Sequence, residues 1–274
     1  MTTAGMLPHE RLPFKGIDER PPLRFPKGIR TVVWPVLALE VWDISRPMAR
    51  MIIPPPQGQP MLPDHPNWSW HEYGMRVGFW RIRRLFNKLC IRPTVTLNAH
   101  SYDQQPMHKL ADQRETIFRS LDVIEKFSGT RPRGWFGPGL TQDFTTLDHL
   151  REAGLEYFGD WVCDDEPVNV KTAHGTIVAV PYNFELHDIV TMALQGHSSE
   201  ETFTRAVKYF ECIHGEGADR AKIMSMAHHN YLSGSPHRIA DVARTYEYML
   251  AKDGVITWDG SQILDWFKQQ DAAQ

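Results

Sequence analysis

Short apolar runs alternate with amphipathic stretches along the whole chain, and this alternation limits the fold more than any other feature. The residues from Thr31 to Leu39 (TVVWPVLAL) are almost unbroken in their apolar character, the pattern of a strand covered on both faces. The run stops at Glu40. Further strands are predicted at residues 91–97, 157–162, 177–181, 222–226 and 256–258, with a short strand entering a tight turn over 134–139. Helices are predicted at 70–89, 112–127, 147–153, 200–215, 236–251 and from 261 onward. Strands that alternate with helices in this way give an α/β fold with a mainly parallel sheet. A length of 274 residues suits a single (β/α) barrel, whose functional face is built from the C-terminal ends of its strands.

Residues 1–30 alternate charges with prolines and are expected to form an arm lying on the body or on a neighbouring subunit, with the barrel domain spanning 31–274. They carry no apolar signal core. The longest apolar run is far short of the ~20 residues of a membrane helix. The expectation is a cytoplasmic protein without membrane contact. The formal net charge is −3 with no Lys/Arg stripe, which argues against nucleic acid as a partner. The three cysteines, Cys90, Cys163 and Cys212, show no paired spacing and are expected as reduced, buried small residues. The proline-rich stretch 47–66 is predicted as a long irregular loop over the functional face.

Polar residues fall where the apolar runs end. Glu40, His100, Asp160 and His229 each end or closely follow a predicted strand, where carboxylates and imidazoles can serve as bases, acids or metal ligands. His228 precedes His229 and is expected on the opposite side of an extended backbone, as a core residue or a support for the site.

Several motifs in order resemble those of the polysaccharide deacetylase superfamily. They are the run from Leu37 to Asp43 (LALEVWD), His100 to Asp103 (HSYD), Arg131 to Gly139 (RPRGWFGPG), Gly159 to Trp161 (GDW), Val180 to Tyr182 (VPY), and His229 followed by Gly234 to Arg238 (GSPHR). The likeness runs from about residue 20 to the end and is greatest toward the allantoinase and cyclic-imidase-like branch. It implies a (β/α) barrel, irregular or incomplete, because about one βα unit is missing between Asn98 and His100. It further implies Glu40 as base, His229 as the acid that protonates the leaving nitrogen, and Asp160 as a member of the catalytic set. Trp42, Trp135, Gly137, Trp161, Tyr182 and Glu185 are implied as substrate-binding residues, with Asp188 facing substrate in the same loop.

The family's metal set is altered. Trp42 stands where a ligand aspartate would be, and Gln104 replaces the second motif histidine. A divalent metal, zinc first, would have to recruit Asp43, Asp103 or His108 around His100; the branch equally implies a metal-independent route. Hydrolysis of a C–N bond in a small linear or cyclic amide, or of an N-acetyl group, is the implied activity, in a homo-oligomer whose open edge is covered by another subunit. The altered metal set leaves open a second role, a catalytically inactive ligand-binding protein on the same scaffold.

Overall fold

The computed structural model describes residues 5–59, 61–97 and 105–271. Its centre is β1 (Thr31–Leu39), buried along nearly its whole length. Val32, Trp34 and Val36 face an interior cluster with Phe136, Val180 and Tyr182. Val33 and Leu37 face a layer of helices. These helices are α3 (Phe79–Lys88), α6 (Ser199–Glu216) and α7 (Ile239–Leu250). The apolar run is continuous because both faces of the strand are covered.

On one side β1 pairs in parallel with β7 (Lys222–His229) over eight residues, ending with Ala38 opposite His229. Its other edge is shared. β8 (Val255–Thr257) pairs with Thr31–Val33, and β2 (Thr94–Leu97) pairs with Val36–Leu39. The break falls at Pro35. The Trp258 N–H still reaches the Val33 carbonyl, but the next rung would need the N–H that a proline lacks.

A second sheet runs β3 (Gly134–Trp135), β4 (Tyr157–Phe158), β6 (Gly175–Ala179), β5 (Val168–Thr172). β5 is antiparallel to β6 and was not predicted. Its turn is built by Thr172, whose hydroxyl donates to the Gly175 carbonyl and accepts from the His174 N–H, and by Gly175 at φ +104°. The chain beyond β6 returns to the first sheet through one isolated bridge, His187 to Ala227, and among the described residues the two sheets do not close. Between β2 and β3 the described residues contain α4 (Gln113–Ser128) and no strand. The architecture is an α/β fold with an irregular, open barrel.

Strand and helix ends follow local chemistry. The Asp112 side chain caps α4 at its start, and Gly129 at φ +74° ends it. β4 stops after Phe158, short of the predicted 162, and Gly159 lies against the Phe136 ring, where an added Cβ would come within 2.1 Å. β7 continues three residues beyond its predicted end and so carries His228 and His229 within the ladder.

The segment before Thr31 is tied to the body. Arg11 is almost fully buried, and its guanidinium bonds to both Asp148 oxygens and to the carbonyls of Phe144 and Lys171. Leu23 enters the interior cluster. The cysteines correct their expectation: all three are exposed and unpaired. Cys90 follows the end of α3 with a positive φ, Cys163 lies in the loop after β4, and Cys212 is on the solvent side of α6. Among the described residues no helix is long and apolar enough to cross a membrane.

The loop after β1 leads to a short helix, α2 (His65–Tyr73). A π-helical turn, Gly74–Gly78, joins α2 to α3. The Gly78 position has no room for a side chain, since a Cβ would meet the Asn230 carbonyl oxygen at 2.1 Å, whereas Gly215 in α6 has nothing within 4 Å. Gly78→Ala is expected to cost about 1–3 kcal/mol of stability through overpacking. Gly215→Ala is expected to add about 0.5–1 kcal/mol by reducing chain entropy. Chemical denaturation of the two variants checks the opposite signs.

Candidate functional site

The register of β1 on β7 sets two groups side by side. Glu40 directly follows β1, and His229 lies opposite Ala38 at the end of β7. Both side chains are nearly buried, with His229 Nε2 3.6 Å from Glu40 Oε1. The other ring nitrogen, Nδ1, is 2.7 Å from Asp188 Oδ1, and the His229 backbone N–H donates to Asp188 Oδ2 at 2.6 Å. Asp188 arrives there because the chain after β6 rejoins β7 at the His187–Ala227 bridge. The imidazole is thus held between two carboxylates from two different elements.

Burial alone would strip the proton from His229. The Asp188 carboxylate, with Glu40 behind it, outweighs burial and raises the ring to about 9. For Asp188, burial pushes up, but the charge and hydrogen bond of His229 hold the carboxyl well below the usual carboxylate range. His229 is raised above its ordinary value of 6.5, so its contribution to stability is complete below that pH and is lost as pH rises through about 9. Asp188 is depressed, so its contribution is complete above its ordinary value of 3.8 and is lost only in stronger acid.

Glu40 has its own surroundings. The Trp42 indole N–H donates to Oε2 at 2.9 Å, and the Tyr231 hydroxyl is 3.5 Å from the same oxygen. The Trp42 ring stacks on His71 with centroids 4.2 Å apart. His71 is fully buried, and neither of its ring nitrogens has a partner among the described residues. Burial brings it down to about 4, so it is neutral at pH 7.

Glu40 and His229 open onto a cavity of about 310 Å³ whose wall includes Arg50, Thr96, Phe136, Leu140, Tyr182 and His187. The face is mostly apolar, with two charges of each sign within or just behind it. Such a space suits a small ligand.

The remaining predicted residues fall in four places. Tyr182 is a cavity wall, locked against Trp34 and Phe136. Asp160, Gly137 and Trp161 form one group behind that wall. Asp160 accepts from the Gly137 N–H at 2.7 Å and from Gln142 at 2.8 Å, and Trp161 donates to Gln142. Burial outweighs those two donors and raises the Asp160 carboxyl to about 7. Trp135 and Glu185 lie elsewhere. Trp135 points into a separate core with Ile117, Leu147 and Phe158, since its neighbour Phe136 takes the cavity side of the backbone. Glu185 is largely exposed, 3.4 Å from Arg205.

Of the predicted metal ligands, Asp43 and His108 lie among the described residues, and there neither joins a group of possible ligands. Asp43 is exposed and caps its own turn through Ser45. His108 is exposed in a single turn. His100 and Asp103 lie outside the described residues. Among the described residues the one group with donor atoms close enough for a cation is His187, Asp188 and His229. There the Asp188 and His229 donor atoms already bond each other, and His187 Nδ1 accepts from the Ile189 N–H at 3.2 Å. These are hydrogen bonds that a cation bound there would replace.

Sequence reasoning missed Arg50, His71, His187 and Tyr231 as part of this region, and it placed Asp188 on the substrate side instead of behind His229. Asp188→Asn removes the charge that keeps His229 protonated. The His229 titration, followed by NMR of the ring, is expected to fall by roughly two pH units or more.

No family model matches the chain. A Schizosaccharomyces pombe protein named as a polysaccharide deacetylase is 26% identical over 237 residues, covering 71% of this chain and 74% of its own length. Among solved structures, one named as a polysaccharide deacetylase from Pseudomonas aeruginosa PAO1 superposes with a TM-score of 0.78 at 23% identity, covering 92% of this chain and 95% of its own. PuuE allantoinase superposes at 0.80 with 22% identity, covering 91% and 94%. The fold is therefore that of the polysaccharide deacetylase and PuuE allantoinase structures, and the motif likeness to the polysaccharide deacetylase superfamily is supported by sequence and by fold.

Proposed function

We propose that the protein hydrolyses a C–N bond, other than a peptide bond, in a small amide, with Glu40 as base and His229 as acid. The observation that carries this is the His229 ring, set between Asp188 and Glu40 at the cavity wall, where the two carboxylates raise its basicity. Glu40 takes a proton from water, and the hydroxide adds to the amide carbon. The electron pair displaced onto oxygen is balanced by Arg50, the cation on the same wall. As that pair returns, the C–N bond breaks and His229 Nε2 delivers its proton to the departing nitrogen. The proton held by Glu40 then passes across the 3.6 Å contact to His229, which resets both groups. Asp188 touches neither reactant; it keeps the imidazole charged and aimed.

A cavity of about 310 Å³ favours a compact substrate. The fold likeness to an allantoinase supports a ring amide, hydantoin or ureide before an N-acetylated sugar. Gly137 does not supply an oxyanion donor in this reading, because its N–H bonds to Asp160.

Glu40→Gln is expected to lower kcat by about 10²–10⁴-fold against cyclic imides, allantoin or N-acetylhexosamines, with the melting temperature little changed. An unchanged rate removes Glu40 from the chemistry. Ligand-induced thermal stabilisation without turnover by the native protein would favour the inactive binding role. Elemental analysis before and after chelation, paired with the rate, tests the route through a cation: turnover that leaves with bound zinc would place the chemistry on a metal, with His187, Asp188 and His229 or His100 and Asp103 as candidate ligands.

A further inference from the structure

Behind Asp188 lies a line of buried polar groups that the chemistry above does not use. Ser233 donates its hydroxyl proton to Asp188 Oδ2 at 2.7 Å. The same oxygen of Ser233 is 2.9 Å from His228 Nδ1, and His228 Nε2 is 2.8 Å from the Tyr246 hydroxyl. Ser233 and Tyr246 are at most 1% exposed, and His228 is 4% exposed. The donors can be assigned by elimination. Asp188 as a carboxylate only accepts, so Ser233 spends its one proton there. Ser233 must then accept from His228, which puts the imidazole proton on Nδ1 and leaves Nε2 to accept from Tyr246. Burial lowers the basicity of His228 to about 4, so a neutral ring with a single tautomer satisfies every bond. All the donors in the line point the same way, toward Asp188.

The placement follows from the ladder. His228 and His229 are adjacent in β7, so their side chains leave opposite faces. His229 turns to the cavity. His228 turns to the helix layer, where it meets Phe86 and Tyr246. Asp188 lies at the junction and is bonded from both sides.

We propose that Tyr246, His228 and Ser233 form a one-way hydrogen-bond relay that fixes the Asp188 carboxylate in the orientation presenting the His229 ring to the cavity, making all three positioning residues for the reaction. The catalytic consequence rests on the reading of His229 as the proton donor; the geometric relay does not. Asp188 Oδ2 accepts from the His229 backbone N–H as well as from Ser233, so the hydroxyl narrows the orientation that the backbone begins to set, and each donor on the carboxylate also tempers its pull on the His229 proton. Deleting Asp188 and deleting its donors therefore have opposite effects on the same ring.

Other charges face this pair from every side. Glu40 comes from the end of β1, His71 from α2, His187 from the segment beside Asp188, Tyr231 from the chain after β7, and Arg238 from the start of α7. None of them bonds to Ser233 or to Tyr246, so the two variants below leave those influences in place.

The test is NMR titration of the His229 ring in Ser233→Ala and in Tyr246→Phe, alongside kcat and KM. In Ser233→Ala the ring titration is expected to rise by roughly half a pH unit or more. The alkaline limb of kcat should move with it, while kcat falls by about tenfold and KM stays within about twofold. Tyr246→Phe, an isosteric change that serves if Ser233→Ala does not fold, is expected to shift the ring in the same direction by less. An unmoved or lowered His229 titration in the folded variants, with only the melting temperature changed, overturns the relay and leaves a structural cluster. If the native protein turns over no amide, the hydrolase reading fails alone, and the ring titration still decides the relay.

Discussion

A single strand pairing carries most of this structure. β1 and β7 run side by side for eight residues, the most extensive contact in the sheet, and their register places the residue after one strand beside the last residue of the other. Neither Glu40 nor His229 could be held so far from water by a loop alone, because a buried charge must be opposed at short range or it neutralises. The ladder supplies that range. Once Ala38 is opposite His229, the carboxylate of Glu40, the ring of His229 and, across it, Asp188 form a line of alternating charge that no single element could build.

The two faces of β7 then serve different ends. One histidine is charged and the other neutral, although they are neighbours in the chain and both lie within reach of Asp188. The distinction comes from what each ring nitrogen touches. His229 has a carboxylate on each side, whereas His228 has two hydroxyls in an apolar layer. Identical side chains are thus separated by environment, the usual route by which a protein sets one group as an acid and another as a fixed dipole.

Much of the frame was legible in the sequence because it is written in local patterns. The buried strand from Thr31 to Leu39, its stop at Glu40 and the amphipathic helix over 112–127 all rest on near neighbours. The opposed faces of His228 and His229 follow from strand periodicity. What was not legible depends on long-range placement. Asp188 was read as a loop residue toward substrate; only the rejoining of that loop with β7 turns it behind His229. Tyr231 reaches Glu40 across 191 positions, with no spacing signal to mark it. Trp135 looked like a pocket wall, but in a two-residue strand one position decides which of two aromatic neighbours faces inward, and Phe136 took that side. The β5 hairpin was the avoidable omission, since alternating residues flank a Thr-Ala-His-Gly turn with a positive-φ glycine.

Pro35 bears on how securely all this is aligned. A proline in a central strand is ordinarily a defect, yet here it sits at the seam where one neighbour ends and another begins. That makes the seam an alignment mark. If β1 slid by two residues along its partners, preserving which side chains face inward, the residue without an N–H would fall opposite a strand that requires one, and the slip would forfeit a ladder bond as well as its core packing. The strand has one resting position along its axis. The distance between the base and the acid is therefore guarded by a residue five positions upstream that takes no part in the chemistry, and a change there would be felt first as lost precision at the cavity.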